Sequence, residues 1–385
     1  MIPSVDVAIV GGGPVGCACA ALLARAGVDV AVLEASTAVT PDPRALAIAW
    51  SSRQTLADLG VWESLTATPM LHVHVSEAGR PGSTTLDATT AGLPALGFTV
   101  RYSDLAVALR EVVGAALHTG VRVTGVDAPV AADAPATVHV ETAEGAADIA
   151  ARLVVVADGQ GDWPGIRRRA REYPHEALLV DLRFEHAPAG WAWERFTPEG
   201  PMAILPRAVD GTLCHTLVWS LPPQRVEALM ALDDAALGDA ICAAVGPRLG
   251  RVLQIDARAK RRTTLAVARP RTGPRLVVIG NAAQTLHPIA GQGFNLGLRD
   301  AAALAAQLSD AAQGEIGSPA MLAAYARSRR GDQWGGVAYT DGLLRIASLR
   351  SGAVRTLRGI GLAALDIVPG ARRALLARSV FGLHL

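Results

Sequence analysis

Gly11, Gly13 and Gly16, spaced GxGxxG, close an apolar run from Val5 to Val10 and open a small-residue stretch from Cys17 to Ala26. Strand, glycines and helix in that order suit a pyrophosphate. The first glycine permits a tight turn, the second lets the backbone approach the phosphates, and the third lets helix and strand pack closely. Pro14 and Val15 lie where the helix starts, so its free amides and the positive end of its dipole meet negative charge. Val28 to Leu33 predicts a second strand. Glu34 follows it, eighteen positions after Gly16, where a carboxylate hydrogen-bonds ribose hydroxyls and repels a ribose 2′-phosphate. An adenine dinucleotide other than NADP is therefore expected here.

Far downstream, a predicted strand from Arg275 to Ile279 runs into Gly280-Asn281-Ala282-Ala283, then a loop with His287, Pro288 and Gly291-Gln292-Gly293-Phe294-Asn295. The loop opens a helix from about Asn295 to Leu308, on which Leu298, Ala301, Ala305 and Leu308 share a face. Such a loop brings backbone amides and a positive helix end to one spot. An isoalloxazine ring needs that at its N1 and C2 carbonyl edge, where negative charge gathers on reduction. Asn295 is expected to add a neutral donor and acceptor at the same edge. The two glycine segments thus suit opposite ends of one FAD.

At these residues the chain resembles a known family. GNAAQTLHPIAGQGFNLGLRD, from Gly280 to Asp300, is similar to the signature of the ubiquinone-biosynthesis aromatic hydroxylases, a branch of the group A FAD monooxygenases. DPRALAI from Asp42 resembles the family's GRAIAL segment, HVSEAG from His74 its HVSDRG hairpin, and Ala157-Asp158-Gly159 its ADG motif. WERFT from Trp193 and GPMAILP from Gly200 resemble ERFTxxGPLAMLP, and YTDGL from Tyr339 precedes a helical tail as in these enzymes.

The resemblance implies an α/β fold: a Rossmann-like FAD-binding domain (1–70, 98–176 and 262–330), interleaved with a smaller antiparallel-sheet substrate domain (71–97 and 177–261), like para-hydroxybenzoate hydroxylase. A helical C-terminus spans 331–385. It implies that Gly11, Gly13, Pro14, Val15 and Gly16 hold the pyrophosphate, Glu34 the ribose, and Arg44 the pyrophosphate or a moving flavin. Asp158, Gly159, Gly280, Asn281, Pro288, Gly291, Gln292, Gly293, Phe294 and Asn295 complete the cofactor set. Asn281 stands where the family commonly has Asp. Arg101 is carried over as a flavin-binding position, with Tyr102 the alternative if the register shifts by one. The implied reaction takes NAD(P)H and O2, activates oxygen at flavin C4a, and hydroxylates a polyprenylated phenol, 2-polyprenyl-6-methoxyphenol. His287 and Pro288 are the candidates at the reactive face, His287 to deprotonate or orient the phenol, against a purely structural role for a loop histidine.

Across 385 residues, 36 basic side chains balance 35 acidic ones, so no net field draws the chain to nucleic acid. The runs Arg167 to Arg171 and Arg258 to Arg262 are read as solvated surface, or as contacts to an acidic partner or NAD(P)H. Four cysteines without paired spacing indicate reduced thiols, with Cys17 and Cys19 as small packing residues. His72 and His74 share a strand face but lack a third ligand at recognisable spacing, so no metal is expected. His215 and Trp219 either line the substrate side or pack. GxSxG and HExxH are absent, against a hydrolase or zinc protease. Three rivals stay open: another ring position or phenol, a reductase or oxidase, and a non-catalytic FAD-binding subunit of a quinone-pathway assembly. The chain is expected to be cytoplasmic and at most peripheral to the inner membrane, because its apolar stretches are broken by glycine, proline and charge.

Overall fold

The structure, a computed structural model, describes residues 4–40, 42, 44–80, 82–129, 131, 134–160, 163–287, 291–309, 313–348 and 361. Among these residues there are three sheets. The first is parallel at its centre, in the order β18 (Leu276–Val278), β11 (Gly145–Val156), β1 (Ser4–Val10), β2 (Val30–Glu34), β8 (Leu117–Thr119). β17 (Thr272–Gly273) adds an antiparallel edge, and β9 (Arg122–Asp127) and β10 (Ala136–Thr142) form an antiparallel arm on β11. Val7, Ile9, Val32, Leu153, Val155 and Val277 pack on one side with Leu23 of α1 (Pro14–Arg25) and Leu304 of α7 (Gln292–Ser309). Ala8, Val10, Val154 and Val156 pack with Val138 and Val140 of the arm and Ile149 of β11. Covered on both faces, the central stretches of β1, β2, β11 and β18 (7–10, 30–33, 153–156 and 276–279) read in sequence as unbroken apolar runs.

The second sheet has the order β19 (Gln284–Thr285), β16 (Val252–Arg269), β12 (Arg167–Phe184), β15 (Thr212–Leu221), β14 (Pro201–Val209), β13 (Trp191–Phe196), β5 (His72–Glu77), β6 (Ser83–Asp87). It is antiparallel except where β13 runs parallel to β5. Helices α4 (Pro223–Met230) and α5 (Asp234–Val245) cover one face, burying Trp193, Ile204, Leu217 and Trp219 against Val226, Leu237 and Ile241. β12 and β16 are each 18 residues long and cross the bounds expected at 176 and 261. Their outer halves pair from Arg167 opposite Arg269 to Glu172 opposite Thr264, and β19 joins them there, which ties the second sheet to the loop after β18.

A third sheet, β3 (Ala45–Ala49), β7 (Gly97–Arg101), β4 (Thr68–Met70), lies under α2 (Trp50–Asp58) and α3 (Tyr102–Val113) and connects the two larger units. The backbone N–H of Ala208 donates to Thr68 Oγ1 across this seam at 2.8 Å. α8 (Pro319–Ser348) packs along α7; of the expected helical tail, 349–385 lies outside the described residues apart from Gly361. Among the described residues no helix is long and apolar enough to cross a membrane.

Candidate functional site

The glycine loop is fixed from both sides. Gly11 has φ of 105°, and a β-carbon there would sit 2.8 Å from the backbone of Asp158. At Gly16 a β-carbon would come within 2.0 Å of the Gly11 carbonyl oxygen. Gly13 differs: it caps α1 with no side-chain hydrogen bond, and the nearest atom to an added β-carbon is the Tyr102 hydroxyl at 4.0 Å. Two of the glycines therefore serve packing, and the third leaves a hollow at a positive helix end. That hollow fits a pyrophosphate.

Glu34 stands at the end of β2. Its carboxylate accepts the backbone N–H of Gly12 at 2.6 Å and of Ser36 at 2.8 Å. Arg110 lies 3.8 Å away and donates through Nε to the Gly12 carbonyl at 3.1 Å. Glu34 and Arg110 together pin the turn. Arg110 was not singled out in sequence, because one arginine on an amphipathic helix carries no spacing signal.

The DPRALAI, ADG and GNAAQ motifs converge on this turn. Arg44 stacks over the Tyr102 ring at 4.6 Å, and the Arg44 carbonyl accepts the Tyr102 N–H at 2.9 Å. Arg101 is half-exposed and turned towards Asp104, so Tyr102 is the residue beside the glycines. Gly159 has φ of 75°, and a β-carbon there would lie 3.6 Å from the Asn281 side chain, while one at Gly293 would lie 3.7 Å from Asn281 Oδ1. Asp158 closes its own turn by accepting the Gln160 N–H, and burial pushes its carboxyl up. Gly280 and Gly297 both abut Val15, so α1, the loop after β18 and α7 approach closely only because side chains are missing there.

The segment Gly291 to Asn295 is locked onto β3. Gly291, at φ of 57°, leaves no room for a side chain against Ala47. Asn295 is buried, accepts the Ala49 N–H at 2.8 Å and donates to the carbonyls of Ala47 and Gly291, both at 2.8 Å. Its amide is thus engaged with backbone, and the flavin-edge donor expected of it is a loop anchor instead. Gln292 and Gly293 form the first turn of α7, and Phe294 packs beside Leu46 and Phe98. Pro288 lies outside the described residues.

His287 is buried where the two large units meet. Its Nε2 is 3.2 Å from the Ser220 hydroxyl, and the Tyr173 ring meets it edge-on at 5.5 Å. Burial, with a smaller effect of His175, holds the imidazole down at about 3, so it is neutral near pH 7. Tyr173 in turn donates to Asp341, which also pairs with Arg171 and Arg345. The YTDGL motif is thereby connected to the flavin loop.

Other expectations resolve locally. Arg168 donates to the Asn281 carbonyl and to Thr285; Arg258 pairs with Asp234, and Lys260 with Glu227. Much of both basic runs is therefore fastening rather than free surface. Cys17 and Cys19 are buried free thiols, pushed up to about 12 by burial. His72 pairs with Asp87, and His74 lies between Thr85 and Arg248. Among the described residues no group of three or more side chains could hold a metal. His215 and Trp219 face the helix-covered core of the second sheet, away from the glycine loops. Cavities of about 370 and 660 Å³ also open on that side, beside Trp193, Arg195 and Trp219.

The profile of the FAD binding domain family matches residues 4–338. The ubiquinone hydroxylase UbiL of Rhodospirillum rubrum is 33% identical over 99% of this chain and 90% of its own. The 3-demethoxyubiquinol 3-hydroxylase of Escherichia coli is 34% identical over 78% of each chain. Among solved structures, the p-nitrophenol 4-monooxygenase PnpA of Pseudomonas putida shares the fold over the whole of both chains, with a TM-score of 0.81 at 19% identity. The chain belongs to the FAD binding domain family, in its branch of flavin-dependent hydroxylases. It is an FAD-dependent monooxygenase.

Proposed function

We propose that this enzyme hydroxylates the ring of a polyprenylated phenol in ubiquinone biosynthesis, with 2-polyprenyl-6-methoxyphenol as substrate. The observation that carries the reading is full-length similarity to the hydroxylase of R. rubrum, together with an apolar sheet face that meets the flavin loop at Ser220 and His287. FAD reduced by NAD(P)H supplies the electrophilic oxygen from O2 that no side chain can provide.

The chain's own residues then have defined tasks. Gly11, Gly13 and Gly16 with the α1 amides hold the pyrophosphate, Glu34 the ribose, and Arg44 with Tyr102 the phosphate side. Asp158, Gly159, Asn281 and the Gly291 to Asn295 loop frame the ring. Ala177, Leu179, Ala203 and Val218 present a small apolar floor that excludes water. His287, neutral and held by Ser220, orients groups by hydrogen bonding rather than by charge.

Deleting the gene in its source organism and profiling quinone intermediates by mass spectrometry tests the assignment. Accumulation of 2-polyprenyl-6-methoxyphenol, reversed by the intact gene, is the expected result. A different accumulated precursor moves the chemistry to another ring position, and unchanged quinone contradicts the pathway.

A further inference from the structure

Strand β13 alternates between two environments. Trp193 points into the core under α4 and α5, so Ala192, Glu194 and Phe196 lie on the opposite face. In register, Glu194 stands opposite Ala203 of β14 and beside Val75 of β5; Ala203 stands opposite Val218, and Val218 opposite Leu179. Two residues beyond Val218 on the same face is Ser220, which holds His287. Glu194 therefore sits at one margin of the apolar floor whose other margin is the flavin loop.

Its carboxylate is half-buried and, among the described residues, has no ion-pair or hydrogen-bond partner. The other acids near this face are engaged or deeply buried. Asp181 pairs with Arg207 at 3.0 Å and accepts from Thr216 at 2.7 Å, and Glu77 lies buried at the hairpin end. An unpaired carboxylate on an apolar surface costs stability, a cost that a bound ligand or a reaction there offsets.

We propose that Glu194 is a catalytic residue that accepts the hydroxyl proton of the bound phenol. The phenol O–H bond breaks and a carboxyl O–H bond forms on Glu194. The electron pair stays on the phenolate oxygen and enriches the ring carbons that are to be oxygenated, and the proton leaves to water with the product. Burial pushes the Glu194 carboxyl up to about 7, which makes it a stronger base than an ordinary carboxylate. No charge on Glu77, Arg207, Asp181 or His287 adds to that rise. This assignment rests on the phenol-hydroxylase reading above.

The test uses the full-length, FAD-loaded enzyme and its Glu194→Gln and Glu194→Asp variants, with 2-allyl-6-methoxyphenol as a soluble head-group probe. Binding is followed by titration calorimetry in two buffers of different ionisation enthalpy between pH 5.5 and 8.5. The wild type should release up to one proton per phenol bound below about pH 7 and lose affinity there. Glu194→Gln should bind at least tenfold more weakly at pH 8, release no proton and show no such limb, with flavin content unchanged. Glu194→Asp should recover part of the proton release. A Gln variant with wild-type affinity and pH profile overturns the role of Glu194 and leaves the hydroxylase reading standing. Absence of proton release from the wild type overturns it without reference to any variant. A wild type that binds no phenol at any pH overturns both.

Discussion

A single glycine shows how far residue identity can be read. GxGxxG treats its three positions alike, yet Gly11 and Gly16 are pressed against backbone while Gly13 borders a hollow. Gly13→Asp should therefore fold but emerge from purification nearly free of flavin, because its carboxylate occupies the phosphate hollow with like charge. The ratio of flavin to protein absorbance measures this, and normal flavin content would contradict the pyrophosphate assignment. His287 makes a second, opposite case. Its ring is neutral when folded, with an affinity for protons far below that of the unfolded chain, so the unfolded state takes up the extra proton. The stability it allows is complete above about pH 6.5 and is lost as pH falls towards 3, on the order of 2 kcal/mol by pH 5. Glu194 titrates in the opposite sense, so the comparison is with His287→Gln: the urea-unfolding gap between wild type and variant should shift by about that amount from pH 7 to pH 5. A constant gap would show that the ring is already solvated. Glycines, Glu34 and His287 were legible from sequence because their types are rare in the pattern that holds them. Arg110, Tyr173 and Glu194 were not, since their significance depends on which strand or helix lies across from them.

At the scale of elements, the signature after β18 divides into a site half and a fastening half. Its closing residues, Arg299 and Asp300, do not face the cleft. Asp300 is fully buried and accepts from Arg329 Nε at 2.9 Å and from Gln333 at 3.0 Å, and Arg299 and Arg329 both reach Asp332. This network clips α7 to α8. Arg329→Met leaves Asp300 charged and uncompensated and should cost about 3–5 kcal/mol, whereas pairing it with Asp300→Asn should restore much of the loss. Denaturant unfolding of the two variants decides it; a single variant within about 0.5 kcal/mol of wild type would contradict the account. The apolar runs of β1, β11 and β18 and the face of α7 were readable because burial on both sides or one side imposes its own period. The outer halves of β12 and β16 were not. Arg167 to Arg171 and Arg258 to Arg262 look like surface charge, and only their cross-strand pairing and local acceptors turn them into one continuous ladder.

For the whole molecule, three sheets bring four separated motifs to one seam. The parallel sheet offers the α1 amides, the small sheet anchors the loop through Asn295, and the second sheet supplies a floor that meets that loop at Ser220. Motif order along the chain made the fold legible, whereas the seam itself could not be read, because it depends on the register of β13, β14 and β15. In the proposed reaction, oxygen from O2 reaches the ring of a polyprenylated phenol. The most direct measurement is single-turnover reaction of the purified, FAD-loaded protein with NADPH, ¹⁸O2 and 2-polyprenyl-6-methoxyphenol, followed by mass spectrometry of the lipid product. One ¹⁸O atom in a new ring hydroxyl is the predicted result. NADPH oxidised with O2 reduced only to hydrogen peroxide, and the phenol returned unlabelled, would contradict it.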